Sequence, residues 1–179
     1  MINDIEKVLF TEQQIARRVQ ELTKEINEFY GDKPIVAVFV LKGSAFFAAD
    51  IIRYLKMAVT IEFMSVSSYG MESVSSGKLT IKKDLDVDIN GKDVLIIEDI
   101  IDTGVTLSTL QKLLSKRGAN SIKVVTMLSK PSRRMVKFDA DYVGFEVPDE
   151  FVVGYGLDFA DKYRNLPYIG ALKRSIYEK

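Results

Sequence analysis

Asp93-Val-Leu-Ile-Ile-Glu-Asp-Ile-Ile-Asp-Thr-Gly-Val-Thr-Leu-Ser-Thr-Leu110 decides how this chain folds. It opens with a short apolar run, Val94 to Ile97, of the kind buried in a parallel sheet. Two adjacent acids, Glu98 and Asp99, follow, then Ile100, Ile101 and a third acid, Asp102. After Thr103-Gly104-Val105-Thr106 the period changes: Leu107, Leu110, Leu113 and Leu114 recur at helical spacing, and Gly118 stands where a helix stops. The pattern predicts strand, tight loop, helix. Free backbone N–H groups at such a helix start attract an anion, Gly104 lets the backbone approach it, and the two threonines add hydroxyl donors. Three carboxylates beside an anion nest must face something else. Adjacent acids suit the two hydroxyls of a ribose, or a magnesium ion, which takes oxygen ligands. Asp102 is then left near a reacting centre. The plainer alternative makes Asp102 a helix N-cap and Glu98-Asp99 a strand end, which accounts for one acid and not three.

Working outward, composition narrows the chemistry. The chain has 179 residues, enough for one domain with a sizeable core. It is 47% hydrophobic and 28% charged, with 25 basic and 25 acidic residues. That balance describes a globular protein and gives no basic surface for nucleic acid or acidic membrane. Cysteine and histidine are both absent. Disulfides, thiol catalysis, a Ser-His-Asp triad and a His-ligated zinc are excluded, so acid–base work falls to Asp, Glu, Lys or Tyr. The longest clean apolar run, Ile35 to Leu41, is far below a membrane span. The N-terminal Met-Ile-Asn-Asp-Ile-Glu lacks the basic and apolar regions of a secretory signal, so a cytoplasmic location is expected.

Upstream, Thr11-Glu-Gln-Gln14 reads as a capping box, followed by Ile15, Val19, Leu22, Ile26 and Phe29 on one helical face. Ile35 to Leu41 predicts a fully buried strand. Lys42-Gly43-Ser44 follows, with Ser44 as the cap of a helix whose inner face carries Phe47, Ile51, Ile52 and Leu55. This is a second strand–loop–helix unit, with a lysine that either points its charge at a bound anion or is simply solvated. Val59 to Val66 alternates as a strand does. The segment from Ser67 to Gly77 has the Ser- and Gly-rich composition of a loop. Leu79 to Val87 predicts a strand before a turn at Asn90-Gly91. Downstream come a strand from Ser121 to Leu128 ending near Lys130, a basic irregular stretch from Ser132 to Asp139, and two short strands, Asp141 to Val147 and Phe151 to Tyr155. The order is that of a single α/β domain spanning 1–179, with ligands at the carboxyl ends of the strands.

Glu98-Asp99-Ile-Ile-Asp102-Thr-Gly-Val-Thr106 resembles the phosphoribosyl-diphosphate-binding motif of the type I phosphoribosyltransferases, and most closely their hypoxanthine-guanine branch of bacterial type. No Gly-Lys-Ser/Thr P-loop and no G-x-G-x-x-G competes with it. The likeness runs from about residue 10 to about residue 170. It implies a mostly parallel central sheet flanked by helices, with a small hood formed by the N-terminal segment and roughly residues 130–179. It implies transfer of a phosphoribosyl group from 5-phosphoribosyl 1-diphosphate to N9 of a 6-oxopurine, with magnesium as cofactor. The reaction gives IMP or GMP and diphosphate, a purine-salvage step.

The resemblance also assigns residues. Lys42, Gly43 and Arg164 bind diphosphate, with a cis peptide often found before the lysine. Glu98, Asp99 and Asp102 with Thr103, Gly104, Val105 and Thr106 bind ribose and its 5′-phosphate. Lys130 donates to the 6-oxo oxygen, Phe151 stacks on the base, and Val152 offers backbone groups to the purine edge. Asp158 holds a metal or contacts the base, so Glu98, Asp99 and Asp158 form the implied metal set. Asp102 accepts a proton from the purine or hydrogen-bonds N7. Ser68-Tyr69 belongs to a loop that closes over the site. The partners implied are small molecules and a second or further copies of the chain, as homodimer or homotetramer. One departure is Val105, where some relatives carry lysine, which leaves the phosphate loop with one positive charge fewer. Three other readings compete. A regulator of the same fold calls for a basic face or a helix-turn-helix extension. A receiver-like domain spreads its acids over several strand ends, and an orotate or uracil transferase should lack Lys130 together with Phe151-Val152.

Overall fold

The computed structural model describes residues 1–68 and 79–178. In chain order β1 spans Ile5–Phe10, α1 Glu12–Tyr30, β2 Ile35–Leu41, α2 Ala45–Ile52, β3 Val59–Ser68, β4 Leu79–Lys83 and β5 Asp93–Ile101. Then come α3 Val105–Lys116, β6 Ser121–Ser129, β7 Tyr142–Glu146, β8 Val152–Val153, β9 Ile169–Leu172 and a closing helical turn, α4, Arg174–Tyr177.

Among the described residues the larger sheet runs β4-β3-β2-β5-β6-β7. Its neighbours are parallel except for β4, which lies antiparallel on the β3 edge. This is the mixed α/β architecture expected of the chain. The apolar runs of β2 and β5 are continuous because both sheet faces are covered. Leu95 and Ile97 pack with α1 and α2, while Val94 and Ile96 pack on the opposite side with Leu107, Leu110 and Leu114 of α3. β2 and β5 lie side by side, yet the chain leaves them in opposite directions, toward β3 and toward β6. That divergence is the topological switch point at which α/β sheets open a crevice. β5 pairs with β2 only as far as Ile97, opposite Phe39. Beyond it Glu98, Ile100 and Ile101 continue along β6 alone. The acids therefore lie inside the strand, on an edge that β2 has left, rather than after it.

Local expectations hold in part. Thr11 and Gln14 form the reciprocal capping box of α1. Ile15, Val19, Leu22 and Ile26 are buried, but Phe29 is half exposed and Tyr30 takes its place in the core. The Tyr30 hydroxyl, 3.3 Å from the Val94 carbonyl, gives that ring a polar anchor that phenylalanine lacks. Ser44 does not cap α2; its hydroxyl donates to the Val40 carbonyl at 2.7 Å. α2 ends at Ile52, so Leu55 lies beyond it. β4 ends at Lys83, because the Asp84 carboxylate turns to accept from the Leu85 N–H and from both arms of Arg117 at 2.6 Å. β8 is two residues long, since Gly154, Tyr155 and Gly156 all have positive φ and leave the strand.

A second, three-stranded antiparallel sheet has the order β1-β9-β8. It pairs Ile5 with Leu172 and Val152 with Ala171, so the two ends of the chain share one small layer. Among the described residues no helix is long and apolar enough to cross a membrane.

Candidate active site

The crevice between β2 and β5 holds the paired acids. Glu98 is 8% exposed. Its Oε1 accepts from the Asp99 N–H at 3.1 Å, and Asp99 Oδ1 accepts from the Ile100 N–H at 2.7 Å. Burial first, and then the neighbouring Asp99 charge, push the Glu98 carboxyl well above the usual carboxylate range. Burial also raises Asp99, against the opposing pull of hydrogen bonds and of Arg164. Two carboxyls so placed favour a cation or hydroxyl donors beside them. The loop after β2 crosses directly over Asp99. A Cβ built on Gly43 would lie 2.5 Å from Asp99 Cγ and closer still to its Oδ2, so no side chain fits there. The peptide between Leu41 and Lys42 is cis.

The loop after β5 forms the anion nest. Gly104, at φ 79°, is the N-cap of α3, so Asp102 does not cap the helix and its carboxylate is turned to other use. Thr103 Oγ1 accepts from the Val105 N–H at 3.3 Å, and the first intrahelical donor is Ser108, to the Gly104 carbonyl at 3.0 Å. The N–H groups of Thr106 and Leu107 are first-turn donors without intrahelical partners. Arg134 grips this loop from below. Its Nη1 donates to the carbonyls of Ile101 at 2.9 Å and Asp102 at 2.6 Å, its Nε to Phe138 O at 2.9 Å, and its Nη2 to Ser129 Oγ at 2.8 Å.

Asp102 faces two cations. Lys130 Nζ and Arg133 Nε each lie 3.9 Å from Asp102 Oδ1. That oxygen is buried and has no hydrogen-bond partner among the described residues. Lys130 is 6% exposed, with its N–H fixed to the Ile101 carbonyl at 2.9 Å. Arg133 also reaches Asp149 at 3.2 Å, which ties the strand-end cations to the segment preceding Phe151. Phe151 presents a half-open ring, 37% exposed, and Val152 is buried in the small sheet.

Arg164 binds the Gly156 carbonyl at 2.7 Å, Asp158 at 2.8 Å and Asp161 at 3.2 Å. The same Asp161 oxygen lies 3.1 Å from Lys42 Nζ. One exposed carboxylate thus bridges the two cations assigned to diphosphate, and the hydrogen bond from Lys42, followed by that from Arg164, holds the Asp161 carboxyl below its ordinary range. Gly156 packs on the Gly43 carbonyl. That contact joins the β2 loop to the segment bearing Asp158 and Arg164.

Of the expected metal set, Asp158 lies 2.8 Å from Arg164, and among the described residues no group of three metal-ligating side chains is gathered. Glu98 and Asp99 alone remain adjacent. Ser68 ends β3, and Tyr69 lies outside the described residues. Sequence reasoning missed Arg133, Arg134 and Asp161. The only trace of the first two was the basic Arg-Arg pair following Lys130.

The site thus brings together an open parallel sheet, an acid pair at its switch point and a turn with free first-turn N–H groups. The chain belongs to the phosphoribosyl transferase domain family, whose model matches residues 7–160. It is 55% identical over 178 residues, 99% of each chain, to the hypoxanthine-guanine phosphoribosyltransferase of Bacillus subtilis (strain 168). It is 50% identical over 177 residues, again 99% of each, to the enzyme of that name from Staphylococcus aureus (strain Mu50). The crystal structure of a Staphylococcus aureus hypoxanthine phosphoribosyltransferase superposes with a TM-score of 0.96 at 49% identity, covering 100% of this chain and 97% of that one.

Proposed function

We propose that this phosphoribosyltransferase joins hypoxanthine, and guanine, through N9 to C1 of 5-phosphoribosyl 1-diphosphate, yielding IMP or GMP. The bond from C1 to the diphosphate oxygen breaks, the leaving group takes the electron pair, and the N9 lone pair forms the new bond. Lys42, Arg164 and the Gly43 backbone receive the diphosphate, exchanging their contact with Asp161 for it. Compensating charge on the leaving group is the largest electrostatic demand of the step. Thr103 to Thr106 hold the 5′-phosphate, and Glu98 and Asp99 hold the ribose hydroxyls. The sugar is thereby fixed with C1 toward the base.

The donor set fits magnesium in one form. Mg²⁺ usually takes one or two carboxylates and fills the rest of its octahedron with water and substrate oxygens. The raised, adjacent Glu98 and Asp99 supply such a pair. When bound, the ion neutralises negative charge on the diphosphate. Lys130 donates to the 6-oxo oxygen, which disfavours adenine with its 6-amino donor. Phe151 stacks on the ring, Val152 meets the purine edge, and Asp158, paired with Arg164, would contact the base or hold the metal. We read the chain as one domain with the β1-β9-β8 sheet as its hood, cytoplasmic, and assembled as a homodimer or homotetramer.

The observation that carries the mechanism is Asp102 Oδ1, buried, without a hydrogen-bond partner among the described residues, and 3.9 Å from two cations. Such an oxygen is poised to accept the purine proton, or the N7 hydrogen bond, as N9 attacks. General-base catalysis contributes about 10²–10⁴ in rate. The test is diphosphate release with magnesium, phosphoribosyl diphosphate and each of hypoxanthine, guanine, xanthine and adenine. Turnover with 6-oxopurines that drops about 10²-fold or more in Asp102→Ala is expected. Turnover on no base, or an Asp102→Ala enzyme as fast as the parent, overturns the assignment.

A further inference from the structure

Phe151 is not a lone ring. Its centroid lies 5.0 Å from that of Tyr177, with the planes inclined by 29°, and Phe159 stands across it at 5.4 Å and 87°. Both are favourable aromatic geometries. Tyr177 is the last residue of α4, and α4 is anchored at its base. The Lys173 N–H donates to the Asp4 carbonyl at 2.9 Å and Lys173 Nζ to the Asn3 carbonyl at 2.6 Å. One residue earlier, the Leu172 N–H donates to the carbonyl of Phe151 itself at 2.8 Å. Ile176, Tyr177 and Phe159 pack together on the small cluster of Val153, Tyr163, Leu166 and Leu172. A single turn of helix would not persist on its own propensity. Here it is held by both chain ends, and its Tyr177 ring lies on the ring read above as the base platform.

We infer that Tyr177 is a positioning residue for the purine: stacked on one side of Phe151, it fixes the tilt of that ring, and the 37% of Phe151 left exposed is the surface the base covers. The inference rests on the reading of Phe151 as the stacking residue. Its physical basis is preorganisation. A phenylalanine free to turn about χ1 and χ2 must be immobilised each time a base binds, and a ring already stacked has little such freedom to lose. Tyr177 belongs to the hood cluster and lies outside the Lys42-Gly43 loop and the 98–106 segment. Its effect therefore falls on the base and not on the sugar diphosphate.

The experiment is steady-state kinetics on the full chain, with hypoxanthine and phosphoribosyl diphosphate varied separately, for the parent, Tyr177→Phe, Tyr177→Leu and Phe151→Ala. Tyr177→Leu keeps apolar bulk and removes the ring. It should raise KM for hypoxanthine about 3- to 10-fold, the worth of one aromatic pair. KM for phosphoribosyl diphosphate should stay at the parent value, and the thermal midpoint should fall by no more than about 2–6 °C, the loss of one aromatic pair. Tyr177→Phe should behave as the parent, because the hydroxyl has no part in the stack. An unchanged hypoxanthine KM in Tyr177→Leu overturns the inference. A lowered one overturns it too, since Tyr177 would then be competing with the base for Phe151. Equal rises in both KM values also overturn it, as general damage to the hood. Phe151→Ala separates the two layers. If it leaves hypoxanthine KM unchanged, the platform reading has failed; if it raises KM while Tyr177→Leu does not, only the inference has.

Discussion

Gly43→Ala is the smallest change that should disable the site while leaving the fold intact. The built Cβ overlaps Asp99 Oδ2 and lies 2.5 Å from Asp99 Cγ, where ordinary contact starts at 3.4 Å, so the carboxylate must swing clear and its carbon retreat by at least about 0.9 Å. Gly43 is not among the glycines of positive φ, so the methyl group strains no backbone dihedral. The unfolded chain loses some freedom, worth about 0.4–1 kcal/mol in favour of the folded state. Stability should therefore change little, and the displacement should appear as function. A misplacement of about 1 Å in a positioning group costs about 10²-fold. We expect kcat/KM for phosphoribosyl diphosphate to fall by about that factor, with a thermal midpoint near the parent's. The route through Asp99 is checked with a double-mutant cycle. Asp99→Ala removes the group that the methyl strikes, so Gly43→Ala added to it should cost almost nothing further, a strong non-additivity of the kind expected for residues in contact. Losses that simply multiply, or a single variant within a few-fold of the parent, would refute the reasoning.

Two more outcomes follow from buried and paired charge. Arg134→Met leaves the carbonyls of Ile101, Asp102 and Phe138 without their charged donor. Urea unfolding should show a loss of about 3 kcal/mol, and near-parental stability would contradict the clamp. Asp84 is held below its usual range chiefly by its bonds to Arg117. A depressed carboxyl stabilises the fold above the unfolded value of 3.8 and loses that contribution as pH falls through the folded value. Because both partners are partly exposed, the pair is worth about 1 kcal/mol or less. Asp84→Asn should be less stable than the parent by that amount at pH 7, with the gap closing in acid; a gap independent of pH would be wrong for this cause.

The central motif was legible because strand, nest and helix are local and each has its own period. The length of β5 was not. The acids break the apolar pattern at Glu98, while the ladder with β6, a partner distant in sequence, carries the strand on to Ile101. Tyr30 displaced Phe29 from the core for a similar reason: its hydroxyl finds the Val94 carbonyl, which no helical period reveals. Lys130 could be named from its strand end. Arg134 could not, because two of its acceptors are the carbonyls of Ile101 and Asp102, distant in sequence, and a sequence does not show which carbonyls lack a donor. The bridge from Asp161 to Lys42 and Arg164 likewise exists only once Gly156 has packed on Gly43. Asp158 could be singled out from its position in a motif, but the ion pair it makes with Arg164 depends on the left-handed turns at Ala160, Asp161 and Tyr163.

The pairing of β1 with β9 has a consequence for the order in which the molecule is made. Ile5 meets Leu172, so this small sheet closes nearly the whole chain into a loop, whereas β2 meets β3, and β5 meets β6, through a single helical crossover. Long closures bear the larger entropic cost and slow the contacts that depend on them. On a chain still emerging from the ribosome the turns at Gly43 and Gly104 are therefore made before Leu172 exists to pair with Ile5, and the small sheet can close only at the end of synthesis.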